Sequence, residues 1–175
     1  MGFREVYAVE GGATAWVARG LALEQGLPEL SPFGLKQARE RVCFLSPRQL
    51  QASPDPIGVV IFVDTSQDFA RGHVPGAHWV PRGWLEFRIG DLVPSKDTAI
   101  TVTCSDGRGS TLAGATLTEL SYRDVSVLDG GMAAWHRVGF AVEKGLSGVM
   151  TPPTDVVLAG PDRSYADMMN YLRWE

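Results

Sequence analysis

The sequence predicts an α/β fold with a central, mostly parallel sheet that helices cover on both faces. Two apolar runs, 57–63 and 98–103, are rich in β-branched residues, which is typical of strands buried on both faces. Helical segments alternate with these strands along the chain, and this order favours parallel pairing through helical crossovers. The chain has 175 residues, enough for one domain with a sizeable core or for one domain with pieces of another.

The predicted elements follow one another from residue 46 onwards. Ser46 and Pro47 begin a helix, because serine caps a helix N-terminus and proline suits the first helical position. This helix ends before the Ser-Pro-Asp-Pro segment at 53–56, and the strand 57–63 then ends at Asp64. The later predictions are a short helix near 66–70, a turn over 72–77, strands over 78–80, 98–103 and 125–128, helices over 110–120 and 130–137, and a last helix starting at Ser164. In the helix 110–120 we expect one shared apolar face, formed by Leu112, Ala115, Thr116 and Leu120.

Composition and charge exclude several classes of protein. The net charge of -4, from 16 basic and 20 acidic residues, is too mild to indicate a nucleic-acid partner. No apolar run is long enough for a membrane span, and the N-terminus lacks the pattern of a secretory signal. The two cysteines, Cys43 and Cys104, form neither a disulfide framework nor a paired metal-ligand spacing. We therefore expect a cytoplasmic protein without a metal or another cofactor.

A strand–turn–helix unit occurs twice in the chain. Residues 3–26 and 122–145 align at an offset of 119, and ten of 24 positions are identical. Each copy has a Gly-Gly turn followed by a helix with a tryptophan, Trp16 in the first copy and Trp135 in the second. The alternative, a chance likeness of two such units, is disfavoured because the tryptophan and the flanking charges match as well.

The repeat predicts the domain organisation. We expect residues 1–26 to be the C-terminal strand–helix remnant of a preceding repeat, and residues 27–45 to be a linker with a helix. A complete domain then covers 46–146. Residues 147–175 are expected to form an extension whose helix leads toward a further domain.

The candidate chemistry lies directly after the second buried strand. Cys104 ends that strand, and the loop 105–110, Ser-Asp-Gly-Arg-Gly-Ser, leads into a helix. Loop N–H groups and the helix N-terminus stabilise a thiolate, so we expect a lowered pKa for Cys104. Gly107 and Gly109 permit unusual backbone angles, and Arg108 adds a cation that Asp106 opposes. The structural alternative is that Cys104 is a small buried apolar residue, which is how we interpret Cys43.

Four segments together resemble the rhodanese, or sulfurtransferase, domain over residues 46–145. They are Asp64, the Gly-His-Val-Pro-Gly-Ala segment 72–77, Cys104 followed by Gly107, and the Leu-Asp-Gly-Gly…Ala-Trp segment 128–135. Because residues 3–26 repeat the last of these, the chain resembles part of a tandem-rhodanese protein. In such proteins some domains are catalytic and others have lost the cysteine.

The resemblance implies a sulfurtransferase reaction without a cofactor. Cys104 would take the outer sulfur of thiosulfate or 3-mercaptopyruvate as a persulfide and pass it to cyanide or a thiol. The persulfide-binding and donor-binding residues it implies are Ser105, Asp106, Gly107, Arg108, Gly109, Ser110 and Arg82. Arg82 is equally compatible with a solvated surface position, and His73, in the turn 72–77, is interpreted as structural. The partners implied are a small anionic donor, a thiol or cyanide acceptor, and neighbouring rhodanese domains.

The sequence departs from the pattern of the family at two places. Many members carry arginine two residues after the aspartate, where Ser66 stands here, and arginine directly before the final serine of the loop, where Gly109 stands. The altered loop supports an alternative, a non-catalytic rhodanese module for binding or spacing. A phosphatase is disfavoured, because its Cys-x5-Arg signature would need arginine at the position of Ser110.

Overall fold

A computed structural model describes residues 7–23, 31–52 and 58–150, together with 153, 155, 166 and 169. The chain divides into two compact units, Met1–Ser31 and Pro32–Glu175. In the first unit the described residues contain one helix, α1 (Gly12–Ala18), which buries none of its residues. The last helix predicted from Ser164 lies outside the described residues.

The second unit contains a five-stranded sheet in which every strand pair is parallel. Its strands are β1 (Cys43–Leu45), β2 (Val59–Phe62), β3 (His78–Trp79), β4 (Ile100–Thr103) and β5 (Val125–Leu128). They lie in the order β1-β5-β4-β2-β3. The helices are α2 (Leu35–Arg39), α3 (Pro47–Ala52), α4 (Ser66–Arg71), α5 (Leu85–Leu92), α6 (Arg108–Glu119) and α7 (Gly131–Arg137), with a 3₁₀ turn at Arg82–Trp84.

Alternate strand residues enter two separate apolar clusters, as expected for a sheet covered on both faces. Ile61 of β2 lies in one cluster, against Leu85 and Ile89 of α5 and Leu117 of α6. Phe62, the next residue, lies in the other cluster, which α3, α4 and α7 complete. The predicted parallel α/β architecture is therefore confirmed.

The start of α3 shows the predicted serine cap in detail. The Ser46 backbone N–H donates to Gln49 Oε1 at 2.9 Å, and the Gln49 N–H donates back to Ser46 Oγ at 3.3 Å. This reciprocal capping box satisfies two N–H groups that have no partner within the helix.

Three elements of the structure differ from the sequence-based predictions. The segment predicted as linker or helix contains the edge strand β1, which pairs only with β5. Cys43, interpreted as a packing residue, is exposed on this strand. The 3₁₀ turn and α5 were not predicted at all.

The buried face of α6 also differs from the predicted one. Its buried residues include Ala113, Gly114 and Leu117, whereas Leu112 and Thr116 are only partly buried. A Cβ on Gly114 would lie 2.8 Å from Val127 Cγ2, so the helix sits closer to the sheet than bulkier residues would permit. None of the helices in the described ranges is long and apolar enough to span a membrane.

Candidate active site at the Cys104 loop

The parallel strands bring their carboxyl ends to one edge of the sheet, and the candidate site lies there. Asp64 follows β2 shortly after its last residue, and Cys104 follows β4 directly. These two strands are neighbours in the sheet. The residues after them therefore meet, as expected for a site in a parallel α/β fold.

The Cys104 sulfur lies inside a cradle of hydrogen bonds from the start of α6. The Gly107 N–H donates to Sγ at 3.1 Å and the Ser110 N–H donates at 3.2 Å. The thiol lies 3.3 Å from Ser110 Oγ, and that hydroxyl donates in turn to the Gly107 carbonyl at 3.2 Å. Gly107 has a φ of +88°, a left-handed conformation that glycine adopts without strain at the N-terminus of α6. The arrangement presents two backbone donors and the positive end of a 12-residue helix to one sulfur atom.

The expectation of a lowered pKa for Cys104 is wrong. Burial raises the pKa of the thiol and is the strongest influence on it, since the side chain is fully enclosed. The hydrogen bond with the Ser110 side chain opposes this, the negative charge of Asp64 raises the pKa further, and the N–H groups of Ser110 and Asp106 lower it. Desolvation therefore outweighs the donors that the sequence predicted, and the net pKa is raised.

Two carboxylates lie beside the loop. Asp64 Oδ2 accepts the Ser105 N–H at 2.7 Å, which ties the first residue of the loop to β2. Asp106 Oδ1 lies 3.8 Å from the Cys104 sulfur and accepts the Arg108 N–H at 2.8 Å. Asp64 was part of the family pattern but not of the predicted site, and its position directly after a strand next to β4 was the available signal.

The two predicted cations lie differently from one another. Arg108 extends into solvent, and its Nε lies 3.5 Å from Asp106 Oδ2. Arg82 is exposed and belongs to the same sheet edge through its backbone, because its N–H donates to the Val63 carbonyl at 2.9 Å. In the described part of the chain, neither arginine forms an ion pair with Asp64. Arg108 therefore pairs with a carboxylate of its own loop, whereas the one hydrogen bond described for Arg82 joins its backbone to Val63.

The N-terminus of α7 supports the loop from the other side. The Met132 N–H donates to the Cys104 carbonyl at 2.8 Å, and the Ala133 N–H donates to the Ser105 carbonyl at 2.9 Å. Gly131 makes this approach possible, since a Cβ there would lie 2.3 Å from the Cys104 carbonyl oxygen. The Gly-Gly turn of the second repeat copy is therefore a structural part of the site, a role that sequence reasoning missed.

A cleft of about 240 Å³ adjoins the loop at Ser105. Its other lining residues come from β2, from α4 and the glycine after it, and from α7; they are Phe62, Asp68, Arg71, Gly72, Met132, Ala133 and His136. The space is large enough for a small molecule next to the loop.

His73, the histidine of the turn 72–77, has a structural environment. It is fully buried, stacks on the Phe69 ring with a centroid distance of 3.6 Å, and places Nδ1 2.7 Å from the Phe69 carbonyl. Its backbone also pairs with that of Glu143. Among the described residues, no group of three or more His, Cys, Asp or Glu side chains is placed to hold a metal ion.

These features define a domain with a parallel α/β sheet that carries a cysteine in a helix-capping loop at its carboxyl edge. The family model of the rhodanese-like domain matches residues 46–138. The chain belongs to this family, as its sequence motifs predicted.

Solved structures agree with this assignment. Thiosulfate sulfurtransferase from Pseudomonas aeruginosa is 28% identical with a TM-score of 0.62, over 88% of this chain and 28% of that chain. The polysulfide-sulfur transferase homodimer from Wolinella succinogenes is 25% identical with a TM-score of 0.54, over 63% of this chain and 85% of that chain.

A third structure shows the likeness of the fold alone. A protein of unknown function from Rhodopseudomonas palustris, described as a possible tyrosine phosphatase, is 23% identical with a TM-score of 0.60. The match covers 70% of this chain and all of that one. The present chain spans only a small part of the Pseudomonas protein, and at the family level it is related to sulfurtransferases.

Proposed function

We propose that this domain is a sulfurtransferase in which Cys104 carries the transferred sulfur as a persulfide. The observation that carries the proposal is the convergence of the Gly107 and Ser110 N–H groups on the Cys104 sulfur, at 3.1 and 3.2 Å. Donors fixed by a helix N-terminus stabilise negative charge on the sulfur and on any group bound to it.

The reaction runs in two displacements, with thiosulfate or 3-mercaptopyruvate as the donor. With thiosulfate, the Cys104 thiolate attacks the outer sulfur, a new sulfur–sulfur bond forms, and sulfite leaves with the electron pair of the broken bond. With 3-mercaptopyruvate, the thiolate attacks the single sulfur, the carbon–sulfur bond breaks, and pyruvate leaves as its enolate, which takes up a proton. Cyanide or a thiol then attacks the outer sulfur of the persulfide and releases the Cys104 thiolate. The loop from Ser105 to Ser110 holds the persulfide, and Arg108 and Arg82 attract the anionic donor to this edge of the sheet.

The raised pKa of Cys104 limits the rate but does not oppose the chemistry. Only the thiolate attacks, so a smaller thiolate fraction at neutral pH slows the first displacement. A persulfide is more acidic than a thiol, and the same N–H donors then act on a group that ionises more readily.

To test this, the protein is incubated with thiosulfate and, in a separate sample, with 3-mercaptopyruvate, and its intact mass is then measured. We expect the mass of one added sulfur, which is lost when cyanide is added. Cys104→Ser should never gain it. Cys43→Ser is the matched control, since it removes the exposed thiol and should gain sulfur as wild type does. The proposal fails if wild type gains no sulfur from either donor, or if Cys104→Ser gains it equally.

A non-catalytic module is the second candidate. Its support is the full enclosure of the Cys104 sulfur and the acidic side chains beside it. In that role the domain binds or spaces neighbouring domains, and the mass experiment gives no added sulfur with either donor.

We further propose that residues 1–26, within the first unit, are the tail of a preceding rhodanese repeat. The support is the ten identities with residues 122–145 and the matching Gly-Gly turn before a helix that carries a tryptophan. Neighbouring rhodanese domains are then partners within a longer chain. A cytoplasmic location is part of this proposal, supported by the two free thiols, Cys43 and Cys104.

A further inference from the structure

We propose that Asp64 and Asp106 select the sulfur donor by its charge, so that monoanionic donors react and dianionic thiosulfate is disfavoured. The inference rests on the proposed sulfurtransferase function and narrows its donor class. Among the donors already named, it favours 3-mercaptopyruvate, which carries a single carboxylate, over thiosulfate.

Asp106 lies close to the reacting sulfur and is held there. Its Oδ1 lies 3.8 Å from the Cys104 sulfur, and the same oxygen accepts the Arg108 N–H at 2.8 Å. A side chain fixed by its own loop does not swing away when an anion approaches. A donor sulfur in contact with Cys104 therefore comes within a few ångström of this negative charge.

Asp64 adds a second negative charge from the neighbouring strand. Its Oδ2 accepts the Ser105 N–H at 2.7 Å. Its Oδ1 lies 3.1 Å from the point where a Cβ on Gly109 would be, and the Cys104 sulfur lies 3.7 Å from that point. The carboxylate and the sulfur thus face the same small space, and the charge of Asp64 also disfavours the Cys104 thiolate.

The cations of the described residues do not cancel these charges. Arg108 Nε lies 3.5 Å from Asp106 Oδ2, and the arginine side chain is 55% exposed, so it compensates one carboxylate from the solvent side. Asp64 forms no ion pair with a cation anywhere in the described ranges, which include Arg82. A donor with two negative charges meets more repulsion here than a donor with one.

Two donors of nearly equal shape isolate this effect. Thiosulfate and the methanethiosulfonate anion, CH₃SO₂S⁻, differ by a methyl group in place of a charged oxygen. In both, the Cys104 thiolate attacks the outer sulfur, a sulfur–sulfur bond forms, and the old one breaks. Sulfite leaves from thiosulfate, and methanesulfinate leaves from methanethiosulfonate, each with the electron pair of the broken bond. Charge is conserved in both steps, and no other reactant is needed.

The test measures the rate of persulfide formation on the whole protein by intact mass, with each donor in a single turnover. Asp106→Asn removes the charge but keeps an oxygen that accepts the Arg108 N–H. We expect this variant to raise the thiosulfate rate at least about fivefold more than the methanethiosulfonate rate, from the interaction of one extra unit charge. Arg108→Gln, which leaves Asp106 uncompensated, should change the ratio in the opposite direction.

A matched control and a measurement on wild type complete the test. Asp97→Asn breaks an exposed ion pair with Arg123 at the amino ends of β4 and β5, opposite the carboxyl ends that carry the site. It should leave the thiosulfate and methanethiosulfonate rates unchanged. In wild type, added salt should accelerate thiosulfate relative to methanethiosulfonate, because it screens the repulsion.

The outcomes separate this inference from the proposed function. If wild type gains sulfur but Asp106→Asn changes both rates by the same factor, the charge selection is overturned and the sulfurtransferase proposal stands. A salt-independent ratio in wild type overturns it equally. If wild type gains sulfur from neither donor, the proposed function fails, and the donor selection fails with it.

Discussion

The two copies of the repeated unit, residues 7–23 and their counterparts at 126–142, have almost the same local structure. In each copy both glycines of the Gly-Gly turn have positive φ, +73° and +59° in the first copy and +69° and +56° in the second. A seven-residue helix follows in each, α1 and α7. The third shared glycine has a φ of +75° in both copies.

The tryptophan of each helix also makes the same hydrogen bond. The Trp16 indole N–H donates to the Ala22 carbonyl at 3.0 Å, and the Trp135 indole N–H donates to the Ala141 carbonyl at 2.9 Å. Both pairs span six residues, and all four positions correspond in the alignment. The unit therefore adopts its shape through contacts within about fifteen residues.

Burial separates the copies. Trp16 is 39% exposed, whereas Trp135 is 2% exposed and packs with Phe62, Leu128 and Phe140. The local sequence therefore determines the turn and the helix, while the surrounding sheet determines whether the unit contributes to a core. The second copy contacts the Cys104 loop through the Met132 and Ala133 N–H groups, and the same substitution in both copies can measure what that contact contributes.

Substitution of the second glycine in each Gly-Gly turn should give the largest difference in stability loss between the two copies. A Cβ on Gly131 would lie 2.3 Å from the Cys104 carbonyl oxygen and 2.7 Å from the Gly107 nitrogen, whereas a Cβ on Gly12 meets nothing within 4 Å. Gly131→Ala should lower the free energy of unfolding of the domain by on the order of 5 kcal/mol, because backbone must move. Gly12→Ala adds only strain from positive φ, about 1 kcal/mol in α1. Urea unfolding followed by circular dichroism measures the loss in Gly131→Ala, and amide hydrogen exchange within α1 measures the loss in Gly12→Ala. Equal losses would show that contact with the Cys104 loop adds nothing to the cost at Gly131.

The tryptophans should differ almost as strongly. Trp135→Ala removes a buried indole and should lower the free energy of unfolding by about 3–5 kcal/mol. Trp16→Ala should change it by less than about 1 kcal/mol, because the side chain is partly exposed and water replaces its hydrogen bond. Chemical denaturation with an unchanged m-value gives the two losses. A large loss in Trp16→Ala would show that the first copy is buried in solution.

The Cys104 loop that the second copy supports should show the raised pKa of its thiol. Since the enclosed thiol keeps its proton, iodoacetamide at pH 7 should alkylate Cys104 at least about tenfold more slowly than the exposed Cys43. The Cys104 rate should rise as the pH passes through the raised pKa. Gly12→Ala should leave this profile unchanged.

The stability of the folded domain should also depend on the Cys104 thiol, and this contribution should fall with rising pH while the alkylation rate rises. The folded state binds the thiol proton more tightly than the unfolded chain, so this contribution to stability is complete below the unfolded pKa. It is lost as the pH rises through the folded pKa. In the alkylation experiment, peptide mapping by mass spectrometry identifies which cysteine has reacted. A Cys104 that iodoacetamide alkylates as fast as Cys43 at pH 7 would contradict the raised pKa.

Much of the fold was predictable because its central strands carry a strong local signal. The runs that contain β2 and β4 are rich in β-branched residues and carry no charge, so their burial on both faces follows from the sequence. The edge strand β1 has three residues and pairs with β5 alone, and so short a segment has no period to detect. The signal for α5 was present but was missed: Leu85, Ile89 and Val93 are all buried and recur at the spacing of one helical face.

The hydrogen-bond donors of the candidate site could be predicted from the sequence, but the direction of the Cys104 pKa shift could not. A glycine-containing loop between a strand and a helix predicts N–H groups around Cys104, and Gly107 and Ser110 donate as expected. Burial of the sulfur and the approach of Asp64 depend on tertiary packing, because Asp64 precedes the loop by about forty residues. The direction of the pKa shift therefore could not be obtained from the loop alone.

Substitution of the third shared glycine should cause the smallest loss of stability, and the loss should be nearly the same in both copies. Gly20 and Gly139 both have a φ of +75°, and a Cβ on either meets nothing within 4 Å. Alanine at either position therefore costs only the backbone strain, partly offset by a less flexible unfolded chain, for a net loss of about 1 kcal/mol or less. Asparagine tolerates this conformation better than alanine, so Gly139→Asn should lose less than Gly139→Ala.

The losses can be measured separately in the two copies. Urea unfolding reports on Gly139→Ala, and amide hydrogen exchange within α1 reports on Gly20→Ala. If Gly139→Ala instead loses as much free energy of unfolding as Gly131→Ala, then positive φ, and not contact with the Cys104 loop, causes both losses. The large effect at Gly131 would then no longer indicate support of the site.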